Sequence, residues 1–300
     1  MVEAPPGSAN VSLEAAYAQC LQRTRSHYEN FTVLSWLTPR ALRPHRAALY
    51  AYCRSVDDLG DEAAGDRLEL LDAFEAKLDQ AYEGIASEPL FAALADTIAR
   101  FDLPREPFAR LIEANRIDQR TQRYATFEDV LHYCRHSADP VGRLVLRMHG
   151  HREPELFRLS DATCTALQLA NFWQDVSRDL AAGRIYVPQD EMEAFGVCDA
   201  DLSTSRASDA VQALLRFQID RTRKLFAEGF ELLDHVSGRL RVELALFSRG
   251  GLAILHAIEA QGFDSLRARP TLPPPAKRRL IAGTLFDLAF RRTPWRGRWT

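Results

Sequence analysis

The chain has 300 residues, of which 46 % are hydrophobic and 26 % charged, as is typical of a soluble globular protein with a sizeable core. Its net charge of −3 and the scatter of its Lys and Arg residues exclude any general expectation of nucleic-acid binding. Five cysteines stand far apart, without a Cys-x-x-Cys pair or zinc-type spacing. This usage indicates reduced thiols in a cytoplasm.

In chain order, residues 1–10 contain small residues and prolines but no basic start or apolar run, which predicts a loose tail and not a signal peptide. Helical periodicity dominates from residue 11 to residue 290, and no apolar run is long enough to span a membrane. The sequence therefore predicts one all-α domain over residues 11–290, followed by a basic and aromatic tail over residues 291–300.

The first acidic segment contains Asp57, Asp58 and Asp61. Helical spacing places these carboxylates on one face with Tyr50 and Arg54. Because like charges at this spacing repel each other, such a face needs a counter-charge, and Mg²⁺ holding a diphosphate would supply it. The alternative is a solvated face whose Arg and Asp side chains pair with one another.

The second acidic segment repeats this pattern about 110 residues later. Asn171, Asp175 and Asp179 are spaced four residues apart, so a helix presents their oxygen atoms on one face. One amide and two carboxylates form a plausible ladder of Mg²⁺ ligands. Trp173 falls on a neighbouring apolar face, where we expect core packing.

Local signals mark several helix boundaries. Thr126 and Asp129 predict a helix start, Gly183 predicts a helix end, and Asp139-Pro140 predicts a break between helices.

Read with the downstream segment from Gly183 to Pro188, the two acidic segments resemble the squalene/phytoene synthase family over roughly residues 20–280. The resemblance implies an all-α isoprenoid synthase (terpenoid synthase) fold with a central cavity, in which two acidic helices bind a diphosphate through Mg²⁺. It assigns the metal to six side chains: Asp57, Asp58, Asp61, Asn171, Asp175 and Asp179. It also lends catalytic roles to Tyr50 and Tyr133, and it makes Arg54 and Arg184 diphosphate clamps, since a planar guanidinium binds phosphate oxygens in pairs.

Within the family, two positions are similar to the bacterial hydroxysqualene synthases. Asn30 lies in a Ser-His-Tyr-Glu-Asn-Phe segment where many relatives have Ser-x-Ser-Phe, and Gln174 stands where they have Arg. Members of this subgroup ionise presqualene diphosphate and let water capture the rearranged cation, without nicotinamide. Asn30 and Gln174 are therefore further catalytic candidates, as polar groups that admit water.

Two other functions remain open. One is condensation of two prenyl diphosphates to presqualene diphosphate or phytoene, and the other is a catalytically silent scaffold. The retention of all six metal-facing positions argues against a silent protein. A hydroxysqualene synthase would receive its substrate from a presqualene diphosphate synthase, with or without contact between the two proteins.

The C-terminal stretch joins an apolar run, residues 280–290, to a tail rich in Arg and Trp. This mixture suits peripheral contact with a membrane, and it equally suits a last core helix followed by a solvated tail. The expected location is the cytoplasm, with or without membrane association.

Overall fold

The structure, a computed structural model, describes residues 12–26, 37–86 and 88–290. Over these ranges the chain forms α-helices and short 3₁₀ helices without any β-strand, and an isolated parallel bridge joins Arg123 and Ile185. The predicted all-α fold is thus confirmed. Within the same ranges, no helix combines the length and the apolar character needed to cross a bilayer. The domain boundaries at residues 10 and 290 stay a prediction.

The helices fall into two compact units. Of the residues that the structure describes, unit 1 comprises those up to 119 together with residues 147–150. Its helices are α1 (Leu13–Ser26), α2 (Arg43–Asp61), α3 (Arg67–Tyr82), α4 (Pro89–Phe101) and most of α5 (Arg105–Arg120). Local chemistry sets their starts: Asp66 accepts hydrogen bonds from Leu68 N and Glu69 N at the beginning of α3, and Pro89 is the first residue of α4.

The core of unit 1 is aromatic as well as aliphatic. The ring of Tyr52 lies against Phe74 and Phe108, with centroids 5.3 and 5.1 Å apart, and its hydroxyl donates to the Phe108 carbonyl. His45 is also buried, with Nδ1 2.8 Å from the Tyr17 hydroxyl. These contacts hold α2 in place from its buried side, so its acidic face is directed away from the core.

Within the described part of the chain, unit 2 comprises residues 120–146 and 151–290. Its helices are α6 (Phe127–Ser137), α7 (Asp139–Met148, its end lying in unit 1), α8 (Pro154–Ala181), α9 (Gln189–Ala194), α10 (Asp199–Leu202), α11 (Asp209–Gly229), α12 (Gly238–Ala260) and α13 (Pro274–Ala289). Helix α8 packs on α11 and α12. Trp173 on α8 is fully buried and donates from Nε1 to Thr222 Oγ1 at 2.9 Å, which confirms its predicted place in the core.

The predicted boundaries in unit 2 are confirmed. Thr126 and Asp129 form a reciprocal capping box at the start of α6, and Gly183 follows α8 with φ of 80°, a left-handed conformation that glycine adopts without strain. Helix α6 ends before Asp139-Pro140, and α7 begins there. The Asp139 carboxyl is buried and accepts from Thr165 Oγ1 at 2.9 Å, and this burial raises its pKa to about 7.

Candidate functional site

In unit 1, the acidic face of α2 carries an ion-pair network centred on Asp58. Its carboxylate lies 2.7 Å from Arg54 Nε on the same helix and 2.5 Å from Arg23 Nη2 on α1. Arg54 also reaches Glu62 at 3.0 Å. The alternative considered from the sequence, pairing of Arg and Asp along the face, is therefore present at Asp58.

Asp57 and Asp61 differ from Asp58 because both are exposed. Asn115 of α5 donates from Nδ2 to Asp57 Oδ1 at 3.3 Å. The close approach of α5 depends on Gly60, since a Cβ there would lie 2.0 Å from Asn115 Oδ1, and Gln119 Nε2 donates to the Gly60 carbonyl at 3.0 Å. The glycine inside this acidic segment thus lets α5 orient the Asp57 carboxylate.

In unit 2, the acidic face of α8 bends at its centre. Asp175 has φ −107° and ψ 15°, which departs from helical geometry and marks a kink in α8. Asn171, one turn earlier, is exposed, and Asp179, one turn later, is half-buried. The three predicted oxygen donors therefore follow one another along α8, with the bend at the middle one.

Asp175 is held by a residue that the sequence did not single out. Arg269, in the segment between α12 and α13, donates from Nε to Oδ1 at 2.5 Å and from Nη2 to Oδ2 at 2.8 Å. This bidentate geometry is the strongest that Arg and a carboxylate adopt. The hydrogen bond to Asp175, with the charges of Asp175 and Asp179, raises the pKa of Arg269 above its ordinary value.

Gln174 is buried beside this ion pair. Its Nε2 donates to the Pro270 carbonyl at 2.5 Å, and its Oε1 accepts from Arg269 Nη2 at 3.1 Å. Both polar atoms of the amide therefore have partners within the protein. The structure places Gln174 next to the second acidic face, as the sequence predicted, but binds it to the segment that carries Arg269.

A cluster of aromatic rings lies beside α8. Phe172 and Tyr186 stack with centroids 3.7 Å apart, and Tyr133 lies 5.6 Å from Tyr186 and 6.1 Å from Phe172. Tyr124 stacks on Tyr186 at 5.5 Å. All four rings are buried. The cluster brings Tyr133, a candidate from the sequence, together with Tyr124, Phe172 and Tyr186.

The remaining predicted residues are placed as follows. Tyr50 is buried in unit 1, and Arg184 is half-buried just after the end of α8, with its backbone N–H donating to the Asp179 carbonyl at 2.8 Å. Asn30 lies outside the described residues. The catalytic and binding roles of all these side chains stay predictions.

The oxygen donors fit Mg²⁺ by their chemistry. The exposed side chains of Asp57, Asp61 and Asn171 offer only the hard ligand types that Mg²⁺ prefers, and the ion usually takes one or two protein carboxylates and completes its shell with water and phosphate oxygens. Within the described residues, no group of three or more His, Cys, Asp or Glu is already arranged as a metal site. Asp58 and Asp175 are instead held by arginines.

The similarity of this chain to known proteins includes both acidic segments. The family model for squalene/phytoene synthase matches residues 24–292, which is most of the chain and includes both acidic segments. The chain belongs to the squalene/phytoene synthase family. Its members are enzymes that use prenyl diphosphates and depend on divalent metal ions.

Individual relatives differ in their named products. The crystal structure of squalene synthase HpnC from Alicyclobacillus acidocaldarius is 54 % identical, covers 86 % of this chain and 98 % of its own, and has a TM-score of 0.81. The 15-cis-phytoene synthase of Synechococcus elongatus is 33 % identical over 91 % of this chain and 93 % of its own length. A dehydrosqualene synthase with ligand, 23 % identical with a TM-score of 0.84 over 93 % of this chain, shows the shared fold.

Sequence reasoning missed Arg23, Arg269, Tyr124 and Tyr186 as members of these clusters. Arg269 follows no helical pattern and directly precedes a proline-rich segment, Pro270 to Pro275. Tyr186 was visible within the segment from Gly183 to Pro188, yet nothing in the spacing indicated that its ring stacks on Phe172. These residues join the site through tertiary packing.

Proposed function

We propose that this protein is a Mg²⁺-dependent hydroxysqualene synthase, which converts presqualene diphosphate and water to hydroxysqualene and diphosphate. The observation that carries the proposal is the 54 % identity to a squalene synthase, against 33 % to a phytoene synthase of similar coverage. The amide at Gln174, where many relatives have Arg, supports the same choice. Both features favour the squalene branch of the family.

The reaction begins with cleavage of the carbon–oxygen bond to diphosphate, and the electron pair leaves with the diphosphate. Bound Mg²⁺ would supply charge stabilisation to the departing group. Arg54 and Arg184 are suited to bind its oxygen atoms. Since Arg54 already pairs with Asp58 and Glu62, binding of the diphosphate requires that network to rearrange. Such contacts accelerate ionisation only if they strengthen as the charge develops.

The resulting carbocation needs an environment that stabilises positive charge without reacting with it. The rings of Tyr133, Phe172 and Tyr186 provide aromatic groups in a buried cluster, and each cation–π contact contributes on the order of 0.5–2 kcal/mol. Water then bonds to the cation and loses a proton. Tyr50, Tyr133, Asn30 and Gln174 remain the candidates that orient this water, and for Gln174 this needs one hydrogen bond beyond those to Arg269 and Pro270.

The second candidate function is condensation of two prenyl diphosphates. It is favoured by the relatives named phytoene synthase, of which the Synechococcus protein covers 91 % of this chain. Both reactions need a diphosphate site of the same chemistry. The acidic faces therefore do not distinguish the condensing function from hydroxysqualene synthesis.

The deciding experiment compares substrates. The purified full chain with Mg²⁺ and without nicotinamide is expected to convert presqualene diphosphate to hydroxysqualene, identified by mass spectrometry, and to leave farnesyl and geranylgeranyl diphosphates unchanged. Formation of presqualene diphosphate or phytoene would assign the condensing reaction instead. Release of no diphosphate from any of the three substrates would support the scaffold alternative. A reaction without Mg²⁺, in EDTA, is the control.

We infer that α13 makes peripheral contact with an anionic lipid surface. Its exposed side combines Arg278 and Arg279 near the start with Ile281 and Phe286 further along, and Phe290 is exposed just after its end. The acid of this helix, Asp287, is turned to the other side, where it pairs with Arg249 of α12 at 2.6 Å. Basic residues and exposed aromatic side chains on one helix face are the pattern of an interfacial helix. The tail from residue 291 lies outside the described residues.

Replacing Phe286 and Phe290 with Ser is expected to weaken binding to vesicles of phosphatidylcholine and phosphatidylglycerol by about tenfold, because the apolar contribution to lipid binding is lost. Flotation of the protein with vesicles measures this. Phe217→Ser, which removes an exposed Phe on α11, is the matched control and should bind as the unaltered protein does. Equal binding by all three proteins, or unchanged binding after deletion of residues 291–300 together with the double substitution, would refute lipid contact through this end of the chain.

A further inference from the structure

Arg269 is fixed on the second acidic face by contacts on several sides. Besides its two hydrogen bonds to Asp175, it donates to Gln174 Oε1 at 3.1 Å. Gln174 in turn binds the carbonyl of the next residue, Pro270, at 2.5 Å. The guanidinium is therefore oriented by a carboxylate and by a buried amide that also holds the backbone of the next residue, which is a more ordered arrangement than a surface ion pair.

The segment that carries Arg269 is itself anchored within unit 2. Asp264 is buried, and its Oδ1 accepts from Ala207 N at 2.9 Å and from Arg267 N at 3.1 Å. The bond to Ala207 ties the start of the segment to the loop that precedes α11, while Gln174 ties its end to α8. The fold of unit 2 therefore places Arg269 beside Asp175.

This arrangement conflicts with metal binding at Asp175. Both carboxylate oxygens accept hydrogen bonds from one guanidinium, so neither can be shared with a divalent ion without weakening that pair. The positive charge of Arg269 also repels any cation that approaches the carboxylate. A metal ion at Asp175 therefore has to displace Arg269.

Building on the function proposed above, we propose that Arg269 is a resident counter-ion that competes with the divalent metal for Asp175, and that Gln174 is the positioning residue that holds it there. The pair neutralises part of the acidic face of α8 while no metal is bound, which limits repulsion between Asp175 and Asp179. Bare metal then binds weakly at this face.

The test measures binding of Mn²⁺ alone, without any prenyl substrate, from the electron paramagnetic resonance signal of the free ion. Arg269→Gln in the full chain is expected to bind Mn²⁺ about tenfold more tightly than the unaltered protein, because a competing cation is removed from Asp175. Arg267→Gln is the matched control. It removes one positive charge from an exposed side chain that lies two residues before Arg269. The affinity for Mn²⁺ should therefore change by less than about twofold.

Two further variants localise the effect. Adding Asp175→Asn to Arg269→Gln should abolish the gain, since the two substitutions act on one pair. Gln174→Met leaves the charge of Arg269 in place but removes its support, and should tighten Mn²⁺ binding by about threefold, a smaller gain than loss of the charge gives. This variant also keeps the proposal testable if Arg269→Gln fails to fold, as judged by circular dichroism.

Unchanged or weaker Mn²⁺ binding in folded Arg269→Gln, or an equal gain in Arg267→Gln, would overturn the counter-ion proposal. Affinity in Gln174→Met equal to that of the unaltered protein would overturn the positioning role. These outcomes are independent of the proposed reaction. A protein that makes hydroxysqualene but shows no gain in Arg269→Gln contradicts the counter-ion alone, and a protein that shows the gain but forms another product contradicts the reaction alone.

Discussion

Asp175→Asn is expected to reduce release of diphosphate from presqualene diphosphate by about a thousandfold or more at saturating Mg²⁺, because the neutral amide is a poor ligand for a hard cation and no longer helps to stabilise the leaving group. Asp175 is the central donor of its face and lies at the kink in α8, where neighbouring donors are four residues away on either side. The initial rate of diphosphate release, with farnesyl and geranylgeranyl diphosphates tested in parallel, measures the effect.

The fold should tolerate this substitution. The Asp175–Arg269 pair is partly exposed, with 18 % and 23 % of the two side chains accessible, so its loss should cost about 1–2 kcal/mol of unfolding free energy. Asp220→Asn, which breaks the exposed pair of Asp220 with Arg223 on α11, is the matched control and should keep full activity. An Asp175→Asn enzyme that retains more than about a tenth of the activity would remove Asp175 from the metal set.

Asp57→Asn is expected to lower turnover by about a hundredfold to a thousandfold with little change in stability. Asp57 is exposed, and an Asn there can still accept the hydrogen bond from Asn115 Nδ2, so the contact between α2 and α5 is preserved. What is lost is the charge that we assign to Mg²⁺ binding. Diphosphate release measures the activity, and thermal denaturation measures the stability.

Glu62→Gln is the control for Asp57→Asn. Glu62 is the next acidic residue after Asp61, is exposed and pairs with Arg54 at 3.0 Å, but it lies outside the predicted metal set. Its replacement should leave turnover within about twofold, since exposed ion pairs contribute little. Equal losses in Asp57→Asn and Glu62→Gln would indicate a general effect of the negative charge on α2 and would contradict a specific role for Asp57.

Asp57 and Asp58 illustrate how much of the candidate site could be predicted from the sequence. Both residues fall on one helix face, and the sequence assigned them the same role. In the structure Asp58 pairs with Arg23, 35 residues away on α1, while Asp57 faces Asn115 on α5. Helical spacing predicts which face a side chain occupies but not which partner another helix brings to it.

Gln174, beside the acidic face of α8, is a second residue whose tertiary partners could not be predicted from helical spacing. The sequence has an amide where many relatives have Arg, which made Gln174 a candidate for admitting water. The structure adds that the amide binds Arg269 and Pro270, and that Arg269 lies 94 residues from Asp175 along the chain. A positive charge is thus present beside the second face after all, but it comes from another segment.

The sequence by itself determined the all-α fold, the two acidic faces, the helix boundaries at Thr126, Asp139 and Gly183, and the family, because each depends on local spacing or on motifs contiguous in the chain. Only the tertiary structure decided the pairing of Asp58 with Arg23 and of Asp175 with Arg269, and the stacking of Phe172 on Tyr186. These contacts join residues brought together by the packing of separate segments. Such packing depends on the whole core and not on the periodicity of any one helix.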